Sequence, residues 1–300
     1  MRKMTGIFKS ATLLTLAVML LMLAQSCGKS FHSEENGSVS VELTFADPED
    51  AEKTELNDVR LWIFNSDGSL VDKFGYGAAA ELALQRYHLK AGRYLFVTAE
   101  NLTDPFTYSG DIATGLFFGL GNPDSSPEHA FYGVTEAEAK DDGSGIVRSE
   151  IRRVLSELTI MTTEAPSRAR LNATVRSVAT GIFPARKGSD ESYGLAAKDE
   201  VKGINIPEGK ESDGSIRTPV LRLMPSYEGC LTTLIHITVT LPNGIVHESD
   251  IMTPVMHPSG KYILTFRYPE MSAYMTVTPY KINEWTEGWT VNGEILNPEE

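Results

Sequence analysis

The chain has 300 residues, 41% of them hydrophobic and 22% charged, with ordinary amounts of Gly and Pro. That composition belongs to a folded protein of about two domains and excludes a collagen-like or wholly disordered chain. Its 27 basic against 40 acidic residues give a net charge of −13, a surface that repels phosphate backbones and speaks against a nucleic-acid partner.

The amino terminus reads as an address. Arg2, Lys3 and Lys9 are followed by a charge-free stretch, in which Ala11 to Ala24 is an apolar run of about fourteen residues. That length suits a signal peptide and is too short for a membrane-spanning helix. The run ends in Leu23-Ala24-Gln25-Ser26-Cys27, which resembles the lipobox of bacterial lipoproteins, although Ala24 and Gln25 depart from its commonest residues. The resemblance implies cleavage after Ser26 and a diacylglycerol on the Cys27 thiol; an ordinary secretory signal with a chance cysteine is the alternative. Two or more acyl chains hold a protein firmly to a membrane, where one does so only marginally. Loss of residues 1–26 removes three positive charges and leaves 24 basic against 40 acidic residues, a net −16. Cys230 then has no cysteine partner and is expected to be a small core residue. Residues 27–38 are polar and read as a tether. Glu34 and Glu35 within it resemble the export signal of surface lipoproteins in Bacteroidota.

Strand signals dominate the rest of the chain. Val39, Val41, Leu43 and Phe45 alternate with polar residues at the period of a half-buried strand. Val59–Phe64 and Leu70–Phe74 flank Asn65-Ser66-Asp67-Gly68-Ser69, a hairpin turn by its residue types. Tyr87–Leu89 and Tyr94–Glu100 flank a second turn at Lys90–Arg93. Residues 102–128, rich in Gly and Pro, read as an irregular excursion. Thr135–Lys140 is the only helix-like stretch of any length. Glu138–Gly145 reads as a linker, and Ile151–Thr162 as one long strand opening a second unit. Further strands are expected at Leu171–Phe183, Thr218–Met224, Leu231–Leu241, Ile245–Glu248, Lys261–Arg267 and Met275–Ile282. An exposed loop is expected over 187–214. Short strands with turn chemistry between them argue an all-β protein of two β-sandwich units, 39–148 and 149–300.

Motifs for catalysis are missing. There is no P-loop or Rossmann glycine pattern and no His-Glu-x-x-His, and Gly143-Ser144-Gly145 lacks the spacing of a nucleophile elbow. No two of the six histidines lie within four residues of each other. His236 belongs to the polar face of a strand. Asp47–Glu52 and Asp141-Asp142 lack the spacing of a calcium loop and read as solvated turns. Trp285 and Trp289, near Tyr280, suit either a sugar platform or the cover of a core. The glycosylation-like Asn36, Asn101 and Asn172 are expected to be chance matches. No cofactor and no metal site is expected.

Several segments together resemble the fimbrillin-associated anchoring lipoproteins of Bacteroidales. They are the lipobox, Val59–Val71, Leu89-Lys90-Ala91-Gly92-Arg93-Tyr94, Ala179-Thr180-Gly181-Ile182-Phe183-Pro184 and the stretch Val277–Trp289. The resemblance covers nearly all of the chain after Cys27. It implies two tandem transthyretin-like β-sandwiches, a lipid anchor in the outer membrane, exposure at the cell surface, and fimbrial stalk subunits (fimbrillins) as partners at the base of a type V fimbria. Stalk subunits of such systems lose their first strand to an arginine-specific protease. Here no arginine lies between Cys27 and Val59, and the first, Arg60, sits inside an expected strand. A subunit that keeps both its strand and its lipid belongs at the membrane end. A surface adhesin or glycan-binding lipoprotein is the alternative reading. The terminal segment Thr290–Glu300 is a candidate for the link to the fimbria, since apolar residues in extended chain suit strand addition; Gly293 and Pro298 weaken it as a strand, and a frayed tail is the alternative.

Overall fold

The computed structural model describes residues 37–141, 144–206, 208–212, 214–268, 275–279 and 291–293. From Gly37 the chain forms β1 (Gly37–Phe45), a short helix α1 (Pro48–Lys53), β2 (Asn57–Asn65), β3 (Leu70–Ala78), the one-turn helix α2 (Ala79–Ala83), β4 (Tyr87–Leu89) and β5 (Gly92–Glu100). Next come β6 (Phe106–Ser109), β7 (Phe117–Leu120), β8 (Phe131–Ala139) and β9 (Ser144–Arg153). Seven of these strands make one sheet in the order β3-β2-β5-β8-β9-β1-β4. One interior pairing is parallel, β1 on β9, in register from Ser38↔Ser144 to Phe45↔Ile151. The sheet rolls until its edge strands meet: the Tyr76 and Tyr87 hydroxyls are 2.8 Å apart, and the Phe74 and Tyr87 rings 5.0 Å. Inside the roll lie Val39, Val41, Val59, Leu61, Ile63 and Phe96, residues that alternation along each strand sends to one face.

The remaining strands are β10 (Ser156–Thr163), β11 (Arg170–Val175), β12 (Val178–Ala179), β13 (Gly181–Lys187), β14 (Tyr193–Ala196), β15 (Glu200–Val201), β16 (Ile204–Ile206), β17 (Lys210–Ser212), β18 (Ser215–Arg217), β19 (Leu221–Leu223), β20 (Thr233–Thr240), β21 (Val246–Thr253), β22 (Lys261–Arg267), β23 (Met275–Pro279) and β24 (Val291–Gly293). One sheet runs β17-β18-β10-β22-β23-β24, with β19 also on β10, and a second runs β16-β11-β20-β21. β10 and β22 repeat the parallel pairing seen in the first sheet. Leu158, Ile160, Leu264 and Phe266 from one sheet, and Leu171, Val175, Ile235, Ile237 and Val239 from the other, belong to one apolar cluster.

That cluster does not stop at the second half. It extends to Trp62, Phe64, Val97 and Tyr132 on the outer face of the rolled sheet. Between the halves runs a four-stranded sheet, β14-β13-β7-β6, that takes strands from both. It is held where Gly181 pairs with Gly119 and Ile182 with Phe118. A Cβ on Gly181 would fall 2.2 Å from the Phe118 carbonyl and 2.4 Å from the Phe117 ring, so this approach needs glycine. Phe118 in turn packs 5.7 Å from Trp62.

The all-β expectation holds, and several finer expectations change. Residues 102–128 carry β6, β7 and a 3₁₀ turn at Ala113–Gly115. Thr135–Lys140 falls largely in β8, which pairs with β5 from Gly92↔Ala139 to Glu100↔Phe131; this long ladder overrides the helix preference of Glu136-Ala137-Glu138-Ala139. The expected linker Glu138–Gly145 is the end of one strand and the start of the next. Ile151–Thr162 is two strands, parted at Val154 and Leu155, both fully buried. β9 runs across residues 148 and 149, and its pairing with β1 continues to Ile151. The expected loop 187–214 carries β14 to β17.

Candidate functional site

Ser26 and Cys27 lie outside the described residues, as do Asn36, Tyr280, Trp285 and Trp289. The first strand after the tether is described in full. β1 has neighbours on both sides, β9 over eight residue pairs and β4 over three. Arg60 is paired through its backbone positions to Gly75 of β3 and Ala99 of β5. Its guanidinium is 2.8 Å from Asp58 and lies 4.6 Å over the Tyr108 ring. The first arginine after Cys27 is thus held in a sheet interior. Part of the expected linking segment is also engaged at home, because β24 pairs with β23 at a sheet edge.

Other expected positions separate cleanly. His236 faces outward on β20, with Nδ1 2.8 Å from Asp250. Asn101 is a structural bracket: its Oδ1 accepts from the Asn57 N–H at 2.8 Å, and its Nδ2 donates to the Glu55 carbonyl. Asp141 accepts from the Ala91 N–H. Cys230 is a correction. It is half-exposed in a surface turn closed by its own N–H on the Tyr227 carbonyl, and its thiol donates to the Thr232 carbonyl at 2.6 Å. The neighbouring Leu231 is 91% exposed, so this turn has no core to enter.

The main correction concerns Asp47–Glu52, which is no solvated turn. Asp47 caps α1 by accepting from the Glu49 N–H at 3.0 Å, and Pro48 starts the helix, as both residue types favour. This single turn and a half aims Asp50 inward. Asp50 is 3% exposed and Arg153, at the end of β9, 6%. Arg153 Nε donates at 3.0 Å to each Asp50 oxygen, its Nη2 donates to the same carboxylate, and its Nη1 lies 3.2 Å from Glu157 at the start of β10. Glu157 in turn accepts from His129 Nε2 at 2.8 Å and lies 3.5 Å from Arg222. Lys261 of β22 donates to Asp47 at 3.1 Å and Glu49 at 3.2 Å.

All of these but Asp47 and Pro48 line a cleft of about 460 Å³ where α1 of the first half meets β10, β18, β19 and β22 of the second. Its electrostatics are those of a lock. Burial alone would raise the Glu157 carboxyl, but the His129 hydrogen bond and the charges of Arg153, His129 and Arg222 bring it down to about 2. Burial likewise opposes ionisation of Asp47, and the Glu49 N–H with Lys261 outweighs it, so its pKa falls. Carboxylates held ionised in this way bind cations and cannot deliver a proton at neutral pH. The acid pushed the other way, Glu100, is fully buried at the end of β5 with neither oxygen hydrogen-bonded, and desolvation lifts its pKa well above the ordinary value. It has no access to a substrate. Among the described residues no three His, Cys, Asp or Glu side chains gather to hold a metal, and no helix is long and apolar enough to cross a membrane. Sequence spacing gave no sign of the Asp50–Arg153 pair, whose members stand 103 residues apart. The one hint in the sequence was an arginine directly before the apolar Val154-Leu155.

The described chain is thus a set of stitched β-sheets whose halves are joined by buried ion pairs. Residues 33–289 match the family described as the fimbrillin-A associated anchor proteins Mfa1 and Mfa2, and the chain belongs to that family. No curated protein sequence matches it. Among solved structures, the fimbrial anchor protein Mfa2 from Porphyromonas gingivalis is 14% identical, with a TM-score of 0.51 over 85% of this chain and 99% of that one. A Bacteroides ovatus protein provisionally described as an adhesin is 13% identical, with a TM-score of 0.55 over 86% and 97%. A Bacteroides thetaiotaomicron protein provisionally described as polysaccharide-binding is also 13% identical, with a TM-score of 0.54 over 86% and 98%. At these identities the structures speak for the fold. Family membership makes this a fimbria-associated protein whose family is one of anchors rather than enzymes.

Proposed function

We propose that the protein is a lipid-anchored structural subunit that tethers a fimbria to the outer membrane and limits its assembly at the base. The lipid is carried on Cys27 after cleavage behind Ser26, and the partners are fimbrillins. The observation that carries the reading is the seat of β1. Eight residue pairs hold it to β9, and no arginine precedes Arg60 in the chain after Cys27. A subunit whose own strand fills its sheet offers no vacancy there for a neighbour's strand, so it terminates a polymer. A subunit that also keeps its lipid terminates it at the membrane.

Replacing Cys27 by Ala and fractionating the cells tests the anchor. The variant, and the fimbriae it holds, should move from the membrane fraction to the medium. Unchanged membrane partitioning would refute lipidation at this cysteine. The second reading, a surface adhesin, is favoured by the provisional description of the Bacteroides ovatus relative. It predicts that cells lacking the protein keep their fimbriae and lose adhesion alone.

A further inference from the structure

We propose that the cleft between α1 and the β10–β22 sheet docks an extended acidic segment of a partner polypeptide, with a carboxylate seated between Arg217 and Arg222. The identification of that polypeptide as a fimbrial subunit rests on the anchor reading; the acidic chemistry does not. The cleft is less acidic than the rest of the molecule. In a chain of net charge −13, it is lined by five Lys and Arg side chains against four carboxylates.

Those charges are unequally satisfied. Arg153 and Lys261 are consumed by Asp50, Asp47 and Glu49 at hydrogen-bond distance. Arg222 is so only in part: its Nε lies 3.1 Å from His129 Nε2 and 3.5 Å from Glu157, while its Nη1 stands 3.7 Å from Glu128, which is itself 93% exposed. Arg217 is exposed and pairs with no carboxylate among the described side chains. Two guanidiniums with donors to spare, in one cleft, suit a carboxylate, which the planar fork binds through paired hydrogen bonds. Val220, 45% exposed, and Ile263 add apolar wall beside them, as a peptide's neighbouring side chains require. The aromatic ring in the lining, Tyr262, is partly buried, and its hydroxyl accepts from the His257 N–H at 2.9 Å. A tyrosine held in this way and partly buried is a poorer stacking platform than an exposed ring, which favours peptide over sugar.

Position agrees. β1 enters at Gly37, next to the tether, and its nine residues carry the chain about 26 Å, at roughly 3.3 Å per residue, to the α1 end where the cleft opens. The cleft therefore lies at the end of the strand remote from the tether.

The test is fluorescence anisotropy of fluorescein-labelled hexaglutamate with the full chain in detergent, beside hexaglutamine and trigalacturonate. Hexaglutamate should bind at least about tenfold more tightly than hexaglutamine, and Arg217→Gln should weaken it about tenfold, the loss of one charge-assisted pair. Because the Arg217 side chain is exposed, the variant should melt at the wild-type temperature. Lys198→Gln, which removes an exposed cation outside the cleft, should bind as wild type does. The proposal is overturned if hexaglutamine binds equally well, if Arg217→Gln and Arg222→Gln both leave binding unchanged, or if trigalacturonate binds more tightly, which would assign the cleft to an acidic sugar. None of these outcomes touches the lipid or the first strand, so failure here is distinct from failure of the anchor reading.

Discussion

Two buried carboxylates show opposite solutions to the same cost. Asp50 meets burial with Arg153, and Glu100 meets it by holding a proton. An ion pair taken from water gains little over an apolar pair of the same volume, but half of one is expensive. Arg153→Met should therefore cost about 3 to 5 kcal/mol in urea unfolding, and adding Asp50→Leu should recover most of that loss. A double variant no more stable than the single one would show that the pair does more than neutralise itself. For Glu100 the folded chain keeps a proton that the unfolded chain releases above the ordinary 4.5. Its contribution is complete below that pH and is lost as pH rises towards the folded value. Glu100→Gln should flatten this decline, so that the variant gains stability relative to wild type between pH 5 and pH 8. Glu157 runs the other way. With its pKa brought to about 2, its contribution is full above 4.5 and fades as pH falls between those values. The urea midpoint of wild type should drop across that window, and that of Glu157→Gln should drop less.

At the scale of elements, the legible strands were those whose pattern is local. β1 alternates, β2 and β3 flank a turn with Asn65 and Gly68, and β20 and β21 flank Pro242-Asn243-Gly244, where Gly244 takes a φ of 84°. Each carries its own signal in side-chain period or turn chemistry. β8 does not. Glu136, Ala137, Glu138 and Ala139 favour a helix in isolation, and only the pairing with β5 decides otherwise. β6, β7 and β13 to β17 are strands of two to seven residues, too short for a period, and what fixes them is a partner far along the chain. The charge lock was hidden for the same reason. Asp50 and Arg153 are brought together by the parallel register of β1 with β9, which delivers both chain segments to one end of the sheet.

At the scale of the molecule, one apolar cluster runs from Trp62 to Phe266 through the shared four-stranded sheet, and the cleft's ion pairs bridge the same two halves from outside. The two halves are therefore joined by more than a single linker. The proposed anchor role depends on what lies at its amino-terminal end: the proposed lipid on Cys27, with β1 still attached behind it. Mass spectrometry of the protein released from the cell surface addresses both at once. A membrane-end anchor should give an amino-terminal peptide that begins at an acylated Cys27 and continues unbroken through Val59 and Arg60. A mature chain that begins at Leu61, with no lipid, would contradict that role.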